Sequence, residues 1–142
     1  MGSLTLQLGS TTAFEINGTF TRGADYDAIN INTSGGLTLN GAFTINFTNG
    51  SALANTTINL FGYLGSHTGD FVSVASTGYY TGAWAHVGET FTLDSMGQSL
   101  VFDETSGSLV IGATPEPSTW ALLTVALSVV LIFRRRSGRP PR

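Results

Sequence analysis

Few side chains in this sequence can carry chemistry, and their spacing decides how far each can be taken. His67 and His86 lie well apart in the chain, each in Gly/Thr-rich surroundings. Neither has a second ligand at metal spacing, so each is expected on a surface loop or strand edge. Asp25 and Asp27 straddle Tyr26 and are expected to share a strand face, where paired carboxylates could bind calcium or serve a glycosidase. A turn-capping carboxylate is a sufficient account of Asp27. Asp103-Glu104, followed by Ser106-Gly107, reads as the turn of a last hairpin. Gly62, Gly65 and Gly69 lack a phosphate-loop lysine and a strand-to-helix frame, so they bind no nucleotide. Tyr79, Tyr80 and Trp84, with Tyr63, could stack on a sugar, although core or cross-strand pairing is the simpler use of such rings. Cysteine is absent, which removes disulfides and thiolate metal sites. No catalytic residue, metal or cofactor is assigned, and the expectation is a protein that is not an enzyme.

The elements around these residues are written in a period of two. Leu4, Leu6 and Leu8 alternate with polar residues, as do Phe14 and Ile16, Ile29 and Ile31, Leu37 and Leu39, and Phe43, Ile45 and Phe47. The pattern resumes at Ile58 and Leu60, Val72 and Val74, Phe91 and Leu93, Leu100 and Phe102, and Leu109 and Ile111. Such alternation predicts short strands with one buried face. Asn17-Gly18, Gly35-Gly36, Asn40-Gly41 and Asn49-Gly50 are turn signals. Residues 1–113 are therefore expected to form an all-β domain, as a sandwich, a barrel or a β-solenoid. Asn-x-Ser/Thr occurs at Asn17, Asn32, Asn46, Asn49 and Asn55, which in a chain this rich in Asn and Thr does not establish glycosylation.

Charge divides the chain sharply. Arg22 is the only cation among residues 1–117 and faces nine carboxylates there, a formal charge of −8. That acidic surface excludes nucleic acid as a partner, since phosphate needs a basic track. The other five arginines, Arg134, Arg135, Arg136, Arg139 and Arg142, follow the uncharged run STWALLTVALSVVLIF at residues 118–133. Continuous apolarity without Pro or Gly predicts a transmembrane helix. It rises roughly 24 Å at 1.5 Å per residue, a length that snorkelling arginines and an interfacial Trp120 extend toward a bilayer of about 30 Å. The positive-inside rule puts residues 134–142 in the cytoplasm and the β region across the inner membrane. Residues 1–10 have neither the basic start nor the apolar core of a signal peptide, and Leu6 breaks a myristoylation signal. The expectation is that sequence lies upstream of Met1.

Thr-Pro-Glu-Pro-Ser-Thr-Trp-Ala at 114–121, the apolar run and the arginine triplet together resemble the bacterial PEP-CTERM protein-sorting signal. The resemblance implies an exported protein processed by exosortase, a membrane-embedded cysteine protease, in a host that usually makes exopolysaccharide. Carried over by position, Pro115, Glu116 and Pro117 (residues 114–117 with Thr114) are the recognition motif. Ser118, Thr119 and Trp120 follow in the common order, and Arg134, Arg135 and Arg136 match the basic terminus. Thr114 departs from the usual valine, and the tail through Arg142 is longer than in many members. Proline physics agrees, because Pro115 and Pro117 hold the approach to the helix extended and accessible.

A second resemblance involves Phe14-Glu15-Ile16-Asn17-Gly18, Tyr26-Asp27-Ala28-Ile29-Asn30-Ile31 and Gly36-Leu37-Thr38-Leu39-Asn40-Gly41. These phrases look like the C-terminal end of autotransporter-like β-repeat passenger proteins. The implication is a β-solenoid end that rolls into a small cap sheet, with residues 103–111 as its last hairpin. A free-standing β-sandwich or jelly roll is the main alternative. Together these readings give an exported structural or adhesive surface or matrix protein, with exosortase, the lipid bilayer and candidate exopolysaccharide as partners. After processing its place would be the outer surface or extracellular matrix. A carbohydrate-binding module on the same anchor, or the end of a larger secreted hydrolase, are the competing functions.

Overall fold

Apolar residues at every second position, with Thr, Asn and Ser between them, favour strands that bury one face and solvate the other. The computed structural model describes residues 3–18, 21–31, 36–53, 55–63 and 67–113, which form an all-β domain. Its strands are β1 (Leu4–Leu6), β2 (Thr11–Ile16), β3 (Ile29–Ile31), β4 (Leu37–Leu39), β5 (Ala42–Phe47), β6 (Thr56–Asn59) and β7 (Phe61–Tyr63). They continue as β8 (His67–Thr68), β9 (Ser73–Gly78), β10 (Gly82–Ala83), β11 (Ala85–Val87), β12 (Thr90–Ser95), β13 (Gln98–Asp103) and β14 (Ser108–Ala113).

Two modes of pairing divide the domain. Strands β1, β4 and β8 form one parallel ladder; β2, β5 and β9 form a second; β3 and β7 form a third. Leu4 stands opposite Leu37, Phe14 opposite Ile45 and Ile29 opposite Phe61, so the three ladders share nearly the same offset along the chain. Parallel partners need a long connection between them, so the turn signals here cannot close hairpins. Asn40-Gly41 turns the chain from β4 into β5, while Asn17 and Asn49 occupy successive strand ends. There the Asn49 amide donates to the Asn17 carbonyl at 2.9 Å. Residues 25–27 fold back over the outer edge of β2: Asn17 N–H reaches Asp25 O at 2.8 Å and Asp27 N–H reaches Glu15 O at 2.9 Å.

The other mode is local. Strands β11, β12, β13, β14 and β6 make an antiparallel sheet in that order. The last hairpin is where the sequence placed it, with Asp103 paired to Ser108 and residues 104–107 in the turn. Asp103 Oδ1 accepts from Thr105 N–H at 2.9 Å and its Oδ2 from Ser106 Oγ at 3.0 Å, the local carboxylate bonding that favours turns. Strand β6 joins the two modes, because it pairs with β14 and leads directly into β7 of the third parallel ladder.

One apolar core runs through both parts. At its centre Phe43 lies 5.3 Å from Phe14, 5.4 Å from Phe61, 5.0 Å from Phe71 and 5.2 Å from Phe102, measured between ring centroids. Such pairs add about 0.5–1.5 kcal/mol each beyond area burial. Two expected inward residues are corrected: Leu8 is 78% and Val72 65% exposed, while Phe71 (1%) joins the expected Val74 (3%) in the core. Strand β9 begins only at Ser73, so the pleat that turns Val74 inward does not extend to Val72. Among the described residues there is no helix long and apolar enough to cross a membrane; the expected spanning run at 118–133 lies outside them.

Candidate functional site

Two places collect the polar residues singled out from the sequence. The first is an open groove of about 380 Å³ lined by Glu15, Asn17, Asp25, Tyr26, Asp27 and their neighbours. Asp25 and Asp27 do not share a strand face as expected, because the chain turns through residues 23–25. Each carboxylate is committed to backbone: Asp25 Oδ2 accepts from Thr21 N–H at 2.8 Å and Asp27 Oδ2 from Glu15 N–H at 2.9 Å. These are capping roles for a loop that covers a sheet edge.

The second place is one that sequence reasoning missed. His67 on β8, Asp70 in the following corner and Glu89 in the turn between β11 and β12 bring one ligand atom each within 4.8 Å of one another. His67 Nε2 is 3.3 Å from Glu89 Oε2. Its other ring nitrogen, Nδ1, is 3.4 Å from the Tyr63 hydroxyl. That hydroxyl donates to the carbonyls of the 104–107 turn, to Glu104 O at 2.8 Å and to Thr105 O. Burial, with the nearby charges of Asp103, Glu104 and Glu89, raises the Tyr63 pKa above its ordinary value.

Glu104 lies beneath this cluster, 1% exposed. Its Oε1 accepts from Phe71 N–H at 2.7 Å, while Oε2 makes no hydrogen bond among the described residues and lies 3.8 Å from His86 Nε2. Burial pushes the Glu104 pKa up, the Phe71 N–H opposes that, Asp70 adds to it, His86 opposes it and Glu89 adds again. His86 itself stacks on Phe91 at 4.0 Å between ring centroids. The two histidines thus sit near strand edges, as expected, but each has a carboxylate partner. Those partners, Glu89 for His67 and Glu104 for His86, are remote in sequence, so no local spacing could have announced them.

Of the aromatic residues considered for sugar stacking, Tyr80 and Trp84 are used inside the domain and Tyr79 is half-buried. Tyr80 is 0% and Trp84 8% exposed. The Tyr80 hydroxyl accepts from Leu53 N–H at 2.9 Å and donates to Gln98 Oε1, and Trp84 Nε1 donates to Ser76 Oγ at 3.2 Å. Tyr79 packs edge-on against Tyr80 at 4.8 Å. Two of the three rings are therefore covered by protein, the core arrangement weighed against a sugar platform. Pro115, Glu116, Pro117, Ser118, Thr119, Trp120, Arg134, Arg135 and Arg136 lie outside the described residues, which end at Ala113 on β14.

The comparison with protein families bears on that segment. The PEP-CTERM protein-sorting motif matches residues 113–136, a stretch that begins at the last residue of β14 and ends on the arginine triplet. The chain thus carries a PEP-CTERM protein-sorting motif, the address of an exported, envelope-targeted protein and the element that exosortase recognises. No curated protein and no solved structure matches the chain significantly.

Proposed function

We propose that this chain is a non-enzymatic surface or matrix protein whose β domain is displayed after exosortase removes its C-terminal address. The observation that carries this reading is the sorting motif over residues 113–136. In the proposed topology residues 118–133 span the inner membrane, the arginines stay cytoplasmic and the β domain lies in the periplasm until processing. Pro115, Glu116 and Pro117 are the extended element the enzyme reads. The domain then reaches the outer surface or an exopolysaccharide-rich matrix.

The β domain is, on this reading, the end of a β-solenoid closed by an antiparallel cap. What supports it is the stacking of strands in parallel register at a nearly constant offset, Leu4 on Leu37, Phe14 on Ile45 and Ile29 on Phe61. Sandwiches and jelly rolls are built from antiparallel strands instead. Its role is structural or adhesive, presenting Thr- and Asn-rich outer faces. The test is to express the chain behind an export signal in a host with exosortase and to replace Pro115, Glu116 and Pro117 together by alanine. The parent is expected in the surface fraction and the variant in the inner membrane. Equal surface display of both would overturn the proposal.

A further inference from the structure

One polar contact across the seam between the parallel ladders and the antiparallel sheet has the spacing of a metal site. His67 and Asp70 belong to the parallel side and Glu89 to the β11–β12 turn, with their ligand atoms all within 4.8 Å of one another. For donors about 2.0 Å from a tetrahedral ion, neighbouring donors are about 3.3 Å apart. His67 Nε2 and Glu89 Oε2 are separated by 3.3 Å. Asp70 is exposed, so its carboxylate can swing the remaining distance.

Proton bookkeeping on Tyr63 adds to this. Its hydroxyl has a single proton, directed to the carbonyls of Glu104 and Thr105. Toward His67 Nδ1 at 3.4 Å the Tyr63 oxygen can therefore only accept, which places hydrogen on Nδ1 and turns Nε2 toward the Glu89 carboxylate. Either a proton or a metal ion can lie between that nitrogen and Glu89 Oε2, 3.3 Å away. A ring held by an Nδ1–H bond with Nε2 free is also the arrangement that metal-binding histidines use.

A separate observation comes from below the cluster. Glu104 has a side chain with 0% exposure, and its Oε2 has no hydrogen-bond partner among the described residues. Its carboxylate lies within electrostatic reach of both Asp70 and Glu89. Glu104 Oε2 lies 3.8 Å from His86 Nε2, so the carboxylates of Asp70, Glu89 and Glu104 are matched by two imidazoles, and a dication would offset their negative charge.

We propose that His67, Asp70 and Glu89 bind a divalent first-row transition metal, with zinc as the representative ion, and that the bound ion fastens the β11–β12 turn to β8. An imidazole among three protein donors favours such an ion over calcium or magnesium, which take oxygen ligands in larger number. Tyr63 is a positioning residue that orients the ring, and Glu104 supplies charge beneath it.

The test is a titration of the full chain, held in detergent, with zinc and separately with calcium. Melting temperature and the ¹⁵N resonances of the His67 ring are followed. One zinc per chain should bind saturably, raise the melting temperature and shift His67 Nε2, while calcium does neither. His67→Asn and Glu89→Gln should each weaken zinc binding at least tenfold, and Tyr63→Phe by about 10–100-fold through loss of the orienting contact. Melting of each variant without metal shows that it is folded. The proposal is overturned by the absence of saturable zinc binding, or by zinc affinity unchanged in both His67→Asn and Glu89→Gln. It is equally overturned if His67 only gains a proton against Glu89 and gives no response to metal.

Discussion

The parallel ladders and the antiparallel sheet solve the same problem, burying one face of short Thr-rich strands, by opposite routes. In the ladders a strand finds its partner far along the chain, as Phe14 finds Ile45. In the sheet it finds the next strand across a tight turn, as Leu100 finds Ile111. Non-local pairing costs loop-closure entropy before any contact is made, whereas local hairpins close cheaply. The antiparallel sheet is thus the part able to form early, and through β6 it offers the ladders a prepared edge. The buried phenylalanines and Glu104 lie where the two routes meet.

The largest expected effect breaks both parts at once. Phe43→Ala removes the ring that touches Phe14 and Phe61 on one side and Phe102 on the other, with an expected loss of about 3–5 kcal/mol. Urea unfolding of this variant should remain a single transition moved to lower urea. Two separated transitions would show that the parts are independent.

Next come two glycines with positive φ, one on each side. Gly107, at φ 67°, would place a Cβ 2.1 Å from Phe61 O, and Gly78, at φ 86°, would place one 2.0 Å from Phe47 O. Alanine at either is expected to cost on the order of 1–3 kcal/mol. The Gly107 carbonyl also accepts the N–H groups of Leu60 and Phe61. Gly107→Ala should therefore lower the melting temperature more, and an equal drop would remove the seam's special status.

A smaller, pH-dependent effect tests Glu104. Its folded-state pKa is raised by burial and by Asp70 and Glu89, against Phe71 N–H and His86. The folded state then holds the proton more tightly than the unfolded one, so stability falls as pH rises from the ordinary carboxylate value through the raised one. Glu104→Gln should flatten that slope, and denaturation across the window measures it. The smallest effect is expected at Asn49→Ala, which loses the bond to Asn17 O and the acceptor for Ser51 N–H, about 0.5–1.5 kcal/mol. It weakens only the ladders, so amide exchange in β12 and β13 should stay unchanged.

Alternation made the strand content legible, because a period of two fixes which side chains face inward whatever the partner is. It says nothing of who pairs with whom: Leu37-Thr38-Leu39 reads alike whether its neighbour is a distant parallel strand or the next antiparallel one. The last hairpin could be placed since Asp103 and Gly107 mark its turn chemically. Strand β8 carries no alternating apolar signal, the alternating Ala85 and Val87 of β11 are exposed, and His67, Asp70 and Glu89 converge only through the tertiary fold. Tyr80 and Trp84 could be read as core or surface until their burial was known. The sorting motif was legible for a different reason: its tripeptide, apolar run and arginines are contiguous and need no tertiary contact to be recognised.

Removal of the C-terminal address is read most plainly from the intact mass of the chain recovered from isogenic hosts with and without exosortase. Exosortase processing predicts the full mass through Arg142 where the enzyme is missing. With the enzyme present, it predicts a product shortened near Pro115 to Pro117 that has lost residues 134–142. An intact C-terminus in both hosts would contradict it.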